Sequence, residues 1–151
     1  MLEWGHKSGG VAPILLDGEQ VATVDPEFWR EGAELVIGDQ TWEFGRDGGD
    51  RVARLAGTTD VVLRASRKSF FSAAWIVEGD GATYEIGPQF MSATHRVLRD
   101  GVPIGTAPNA GFLSSRACLD VSSSVPPMHQ LFLLWISHII RRRAASAAAS
   151  S

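Results

Sequence analysis

From Val11 to Val121 the chain reads as short runs of alternating apolar and polar residues broken by glycine-bearing turns. Strands are predicted at Val11–Leu16, Gln20–Val24, Glu34–Ile37, Thr41–Gly45, Arg51–Ala56, Val61–Ala65, Phe70–Glu78, Thr83–Gly87, Thr94–Arg99, Val102–Thr106 and Arg116–Val121. The alternation is clearest where Trp42 and Phe44 oppose Thr41 and Glu43, and where Tyr84 and Ile86 oppose Thr83 and Glu85. Such period-2 patterning puts one set of side chains on each face of a sheet. Around Arg51–Leu55 the facing is less clear. Asp17-Gly18, Gly38-Asp39, Asp47-Gly48-Gly49, Gly79-Asp80-Gly81 and Asp100-Gly101 supply the positive φ that tight hairpins need. Short strands at this spacing predict an antiparallel barrel or sandwich. Two internal likenesses recur: Trp42-Glu43-Phe44-Gly45 with Tyr84-Glu85-Ile86-Gly87, and Asp17–Thr23 with Asp100–Thr106. They leave open either a two-fold repeat or mere reuse of one turn chemistry.

After Ser122-Ser123-Ser124 the pattern changes. Pro126-Pro127 suits a helix's first turn, and a run through Leu131, Phe132, Leu133, Leu134, Trp135, Ile136, Ile139 and Ile140 follows. Leu131 to Ile136 cover every direction around a helix axis, so the predicted helix (about 127–142) must be surrounded. Lipid is a poor enclosure, because about 14 residues reach roughly 21 Å against roughly 30 Å of hydrocarbon, and Ser137 and His138 interrupt the run. A partner protein would leave a sticky helix on the free chain. The chain's own sheet needs nothing external. Burying the helix side chains is worth roughly 15–25 kcal/mol gross, and ordering its backbone costs a comparable sum. Helix and enclosing sheet therefore form together. The expectation is a mainly β fold: a closed antiparallel barrel of about 12 strands surrounding a central C-terminal helix. It predicts an N-terminal segment 1–10 outside the domain, a barrel domain 11–143, and a flexible Ala/Ser tail 144–151. Arg141-Arg142-Arg143 are expected to complement the helix C-terminal dipole.

This arrangement resembles the tubby C-terminal-like superfamily, which takes in the tubby domain, the phospholipid scramblases and the LURP-one-related proteins. The resemblance spans roughly Val11 to Arg142. It rests on the strand–turn–strand ending Val21-Ala22-Thr23, on Tyr84-Glu85-Ile86-Gly87 followed by Val97-Leu98-Arg99-Asp100-Gly101 and Ile104-Gly105-Thr106, and on the Leu131–Ile136 helix. It implies a non-catalytic binding or scaffold module that contacts anionic phospholipid head groups or a protein partner. The nearest analogue of the tubby-type basic cluster is Arg64, Arg67 and Lys68, with Arg96 and Arg99. The chain departs from scramblases in having no acidic calcium segment, no cysteine-rich tract and no proline-rich N-terminal region.

Chemistry narrows the classes further. A net charge of -3 gives no global basic field for nucleic acid. One cysteine, Cys118, excludes an internal disulfide and fits a reducing compartment; it reads as a small buried strand residue. Met1–Gly10 lacks the apolar core of a signal peptide, so the expectation is cytoplasmic, peripheral at the membrane. His129 and His138 sit about 180° apart on a helix and cannot share a metal; His6 and His95 lack neighbouring ligands in sequence. No metal or cofactor is expected. Neither a phosphate-binding loop, a dinucleotide fingerprint nor a nucleophile elbow occurs, so the chain is expected not to be an enzyme. The stretch Arg64–Lys68 has two readings: a cationic membrane-facing rim with Phe70 and Phe71, or a solvated turn whose phenylalanines join the core, the second being favoured. Two rival functions remain: a carrier or barrel enzyme with an internal apolar pocket, and a protein anchored by its C-terminal helix.

Overall fold

The computed structural model describes residues 1–4, 12–24, 32–89, 92–108 and 118–150. Its strands are β1 (Leu2–Trp4), β2 (Ala12–Leu16), β3 (Glu19–Val24), β4 (Ala33–Ile37), β5 (Gln40–Asp47), β6 (Asp50–Leu55), β7 (Val61–Arg67), β8 (Trp75–Gly79), β9 (Ala82–Pro88), β10 (His95–Arg99), β11 (Val102–Ala107) and β12 (Cys118–Val121). They pair antiparallel in chain order, and β1 meets β12 to close a 12-strand barrel. One helix, α1, runs Pro127–Ser150. The expected fold class is what the structure has.

Leu131, Phe132, Leu133, Leu134, Trp135 and Ile136 are each 0% exposed. Six successive helical residues point all around the axis, so the barrel covers α1 on every side. Phe44 anchors the packing: its ring meets Phe132 edge-on at 5.2 Å and Trp135 at 5.6 Å. Ile14, Leu35, Leu63, Val77, Tyr84, Ile86, Val97 and Leu119 complete the wall of this core.

The pairing registers reveal a three-fold repeat of four strands. Hairpins β2–β3, β6–β7 and β10–β11 each carry a one-residue irregularity at the same place, leaving Val21, Val62 and Ile104 without a cross-strand partner. These three recur at roughly 41 residues, within the range of structural repeats, and all pack partly buried against the core. From this register Ile14, Ala53 and Val97 become equivalent, as do Leu35, Val77 and Leu119; all six are 0% exposed. Leu2-Glu3-Trp4, Trp42-Glu43-Phe44 and Tyr84-Glu85-Ile86 occupy the corresponding first strands, each followed in the sequence by glycine. Leu35↔Trp42, Val77↔Tyr84 and Leu119↔Leu2 are the same junction made three times, so barrel closure is the repeat's own inter-unit contact. The two likenesses visible in the sequence are one unit and two units apart, which is why neither amounted to a two-fold repeat.

Several expectations are corrected. Segment 1–10 is not wholly outside the domain, because Leu2–Trp4 is the strand that closes the barrel. The helix does not end near 142, nor is 144–150 a flexible tail: α1 continues to Ser150, alanine being the strongest helix former. Arg141–Arg143 consequently sit mid-helix and cap no dipole. The strand expected at Phe70–Glu78 begins only at Trp75, and Phe70 and Phe71 lie outside the core. The ambiguous strand is resolved with Ala53 facing the core. Val11, Arg116 and Ala117, placed in strands by the sequence, lie outside the described residues, as does His6.

Candidate functional site: the helix-exit end of the barrel

Alternation of strand direction assigns every described turn to one of two ends. The helix enters beside the turns at 17–18, 38–39, 56–60, 79–81 and 100–101, and leaves beside those at 48–49, 68–74 and 88–94.

At the entry end each turn holds an aspartate: Asp17, Asp39, Asp60, Asp80 and Asp100. A polar pin centred on a buried histidine fastens the helix there. His129, on the first turns of α1, faces Asp80 Oδ2 through Nε2 at 2.9 Å and the Tyr84 hydroxyl through Nδ1 at 2.9 Å. With Nε2–H donating to the carboxylate, Nδ1 accepts from the Tyr84 hydroxyl. Tyr84 is fully buried, and burial pushes its hydroxyl pKa up. The phenol is sealed from substrate, so the trio is a structural lock.

The exit end is built differently. Register equivalence puts Ala12, Arg51 and His95 at one position of the repeat, and Ala33 and Trp75 at another. Where the first unit has alanine, the second and third carry an arginine, an indole and an imidazole. Repeat symmetry is thus broken at this end, and two of the broken positions, Trp75 and His95, line a cavity of about 820 Å³ together with Arg67, Ile140, Arg143 and Ala144. The Trp75 ring receives two guanidinium groups, Arg51 at 5.8 Å and Arg143 at 5.1 Å. His95 is 4% exposed, its Nδ1 sharing a 2.7 Å hydrogen bond with the Ser137 hydroxyl. Burial, reinforced by the Arg141 charge, pushes the His95 pKa down to about 4, so the ring is neutral at neutral pH. Arg141 donates to the carbonyl oxygens of Ala93 (2.6 Å) and Ala107 (2.5 Å), a collar tying the helix to the rim. Arg143 is held below the ordinary arginine range, first by burial and then by the like charges of Arg67 and Arg46.

Beyond the cavity, Phe70 and Phe71 stand 82% and 95% exposed, edge-to-face at 5.3 Å. Arg67 holds their turn by donating from Nη2 to the carbonyl oxygens of Phe70 (3.2 Å) and Ser72 (3.3 Å). The favoured sequence reading, which sent these rings to the core, is therefore overturned. The turn carries them away from the barrel before β8 resumes inward alternation at Trp75.

The structure does not assemble the five basic residues expected to form one cluster. Arg64 is engaged by Asp47 (2.7 Å) and Asp50 (2.9 Å), and Lys68 pairs with Glu85 at 2.9 Å. Arg96 is exposed on the β10 face. Arg99 lies at the opposite end, its guanidinium 5.7 Å from the Tyr84 ring. Arg67 alone reaches the cavity, where Arg143 and Arg141 join it. Sequence reasoning assigned the last two to dipole capping, and only the length of α1 could have revealed otherwise. Among helix residues expected to be structural, Leu131, Phe132, Leu134, Trp135, Ile136 and Ile139 are all buried. Cys118 is a buried residue of β12, its thiol pKa raised by burial. Among the described residues, no group of three or more His, Cys, Asp or Glu side chains is placed to hold a metal ion. No helix of the described residues is long and apolar enough to cross a membrane.

No family model matches the chain, and no curated protein or solved structure gives a match.

Proposed function

We propose that this protein is a non-catalytic binding module of the tubby-like, LURP-one-related type, peripheral and cytoplasmic, that docks on anionic phospholipid surfaces through its helix-exit end. The carrying observation is the pair Phe70 and Phe71, more than four-fifths exposed, on a turn held by Arg67, which lines one cavity with Arg143. Adjacent exposed rings in water are unfavourable unless something apolar covers them. Aromatic rings insert at the head-group level, while each nearby Lys or Arg adds about 1 kcal/mol on an anionic leaflet. The 12-strand barrel closed on its C-terminal helix supports the tubby-like kinship. The same helix argues against a ligand inside the barrel, since its side chains occupy that space. Anchoring by the helix finds no support, because its apolar part is the core of the domain.

Liposome sedimentation tests the reading. Vesicles of phosphatidylcholine with phosphatidylserine should retain the protein at low salt, release it at high salt, and retain it far better than phosphatidylcholine alone. Phe70→Ser with Phe71→Ser should weaken retention by about tenfold or more. Equal retention on neutral vesicles, or none on anionic ones at low salt, overturns the proposal. Capture of a protein rather than vesicles by the same two rings would move the surface to a protein partner.

A further inference from the structure

The exit-end cavity has a chemistry of its own, separate from the exposed phenylalanines. We infer that it binds one molecule of a single-chain amphiphile with an anionic head, the head held by Arg67 and Arg143 and the chain laid along Trp75, Ile140 and Ala144.

Four observations carry this inference. The cavity, about 820 Å³, falls within the roughly 300–1,000 Å³ of small-molecule sites. Its lining combines Arg67, Arg141, Arg142 and Arg143 with Trp75, Ile140, Ala144, Ala145 and Ala147, and among the described lining residues there is no carboxylate. Arg67 and Arg143 line the same cavity, and the like charge of Arg67 adds to burial in holding Arg143 below the ordinary arginine range, a repulsion that an anion relieves. Arg141, also on the wall, keeps a buried Nε with no hydrogen-bond partner among the described residues. Charge complementarity fixes the sign of the head, and the apolar wall excludes a bare ion as the best ligand. His95, neutral and bonded to Ser137, adds a polar but uncharged edge. Two of its wall residues, Trp75 and His95, also stand where the first repeat has alanine, at Ala33 and Ala12. Guanidinium groups bind phosphate and carboxylate alike by paired N–H donors, so the head is defined as an oxyanion.

Titration calorimetry with octyl phosphate below its micellar concentration is the test, alongside octyltrimethylammonium and inorganic phosphate. Octyl phosphate should bind one-to-one, with both controls weaker by roughly tenfold or more. Ala144→Trp fills the groove from an exposed helix position and should weaken octyl phosphate by about tenfold at unchanged circular dichroism. Arg143→Gln should do the same by removing the head's partner, and it keeps the test open if the tryptophan variant misfolds. The inference does not rest on membrane docking: Phe70→Ser with Phe71→Ser should leave octyl phosphate affinity within about twofold while vesicle retention falls. Absence of one-to-one binding overturns the inference, as does equal affinity for inorganic phosphate or the cationic chain. Unchanged affinity in both Ala144→Trp and Arg143→Gln overturns it as well.

Discussion

The two ends of this barrel are closed by the same kind of hairpin, yet they differ in charge and in how they hold the helix. At the entry end five turns present aspartates around the N-terminus of α1, where the helix dipole is positive and carboxylates are stabilising. His129 is sealed there between Asp80 and Tyr84. At the exit end Arg67, Arg141, Arg142 and Arg143 come together. A cavity opens beside them, and two phenylalanines are left in water. The entry end holds its buried imidazole between two polar partners, whereas the exit end keeps a cation-lined cavity and exposed apolar surface. The residues that fasten the start of the helix and those that line the cavity thus lie at opposite ends of one barrel.

The contrast can be broken most severely through the element both ends share. Trp135→Asp places an unpaired carboxylate at the centre of the plug and should abolish the folded state, a cost of several kcal/mol visible as loss of the cooperative thermal transition. Acid should act next, and at the exit end. His95 titrates near 4 when folded against its ordinary 6.5, so the unfolded chain takes up its proton first as pH falls. Stability present above about pH 6.5 is then lost progressively towards pH 4, about 2 kcal/mol between pH 7 and 5. Urea unfolding at the two pH values should show that loss in the wild type, and His95→Gln should reduce it by that amount. At the entry end Tyr84→Phe leaves Nδ1 of His129 buried without its donor and should cost about 1.5 kcal/mol by urea unfolding, with vesicle retention unaltered. Smallest is Arg99→Leu, which removes a cation over the Tyr84 ring for about 0.5 kcal/mol in the same assay. Vesicle retention should not change, whereas a basic face including Arg99 would require that it fall.

Alternation and Asp-Gly turns were enough to place most strands, because period-2 burial is local and hairpin turns are written in two residues. Asp17, Asp80 and Asp100 do adopt positive φ, at 51°, 53° and 50°, each followed by a glycine. Leu131–Ile136, apolar in every direction, likewise required an enclosure that only the chain's own sheet could supply without help. The strand Leu2–Trp4 was not legible, since three residues hold too little pattern and its identity depends on pairing with β12. The repeat was hidden for a similar reason: its clearest marks are the unpaired positions Val21, Val62 and Ile104, which exist only as register.

Charge was the least legible. Arg64, Arg67 and Lys68 are neighbours in sequence, yet Asp47, Asp50 and Glu85 from other strands neutralise two of them. Arg67 and Arg143, far apart in sequence, meet at one cavity. The sequence by itself determined the class of fold, the central helix and the hairpin turns, because hydrophobic periodicity and backbone conformation are short-range properties. Only the tertiary structure decided which cations are spent on ion pairs, which rings stay in water and where the cavity lies. Coulombic pairing and exposure depend on what distant strands bring alongside, and no window along the chain contains that information.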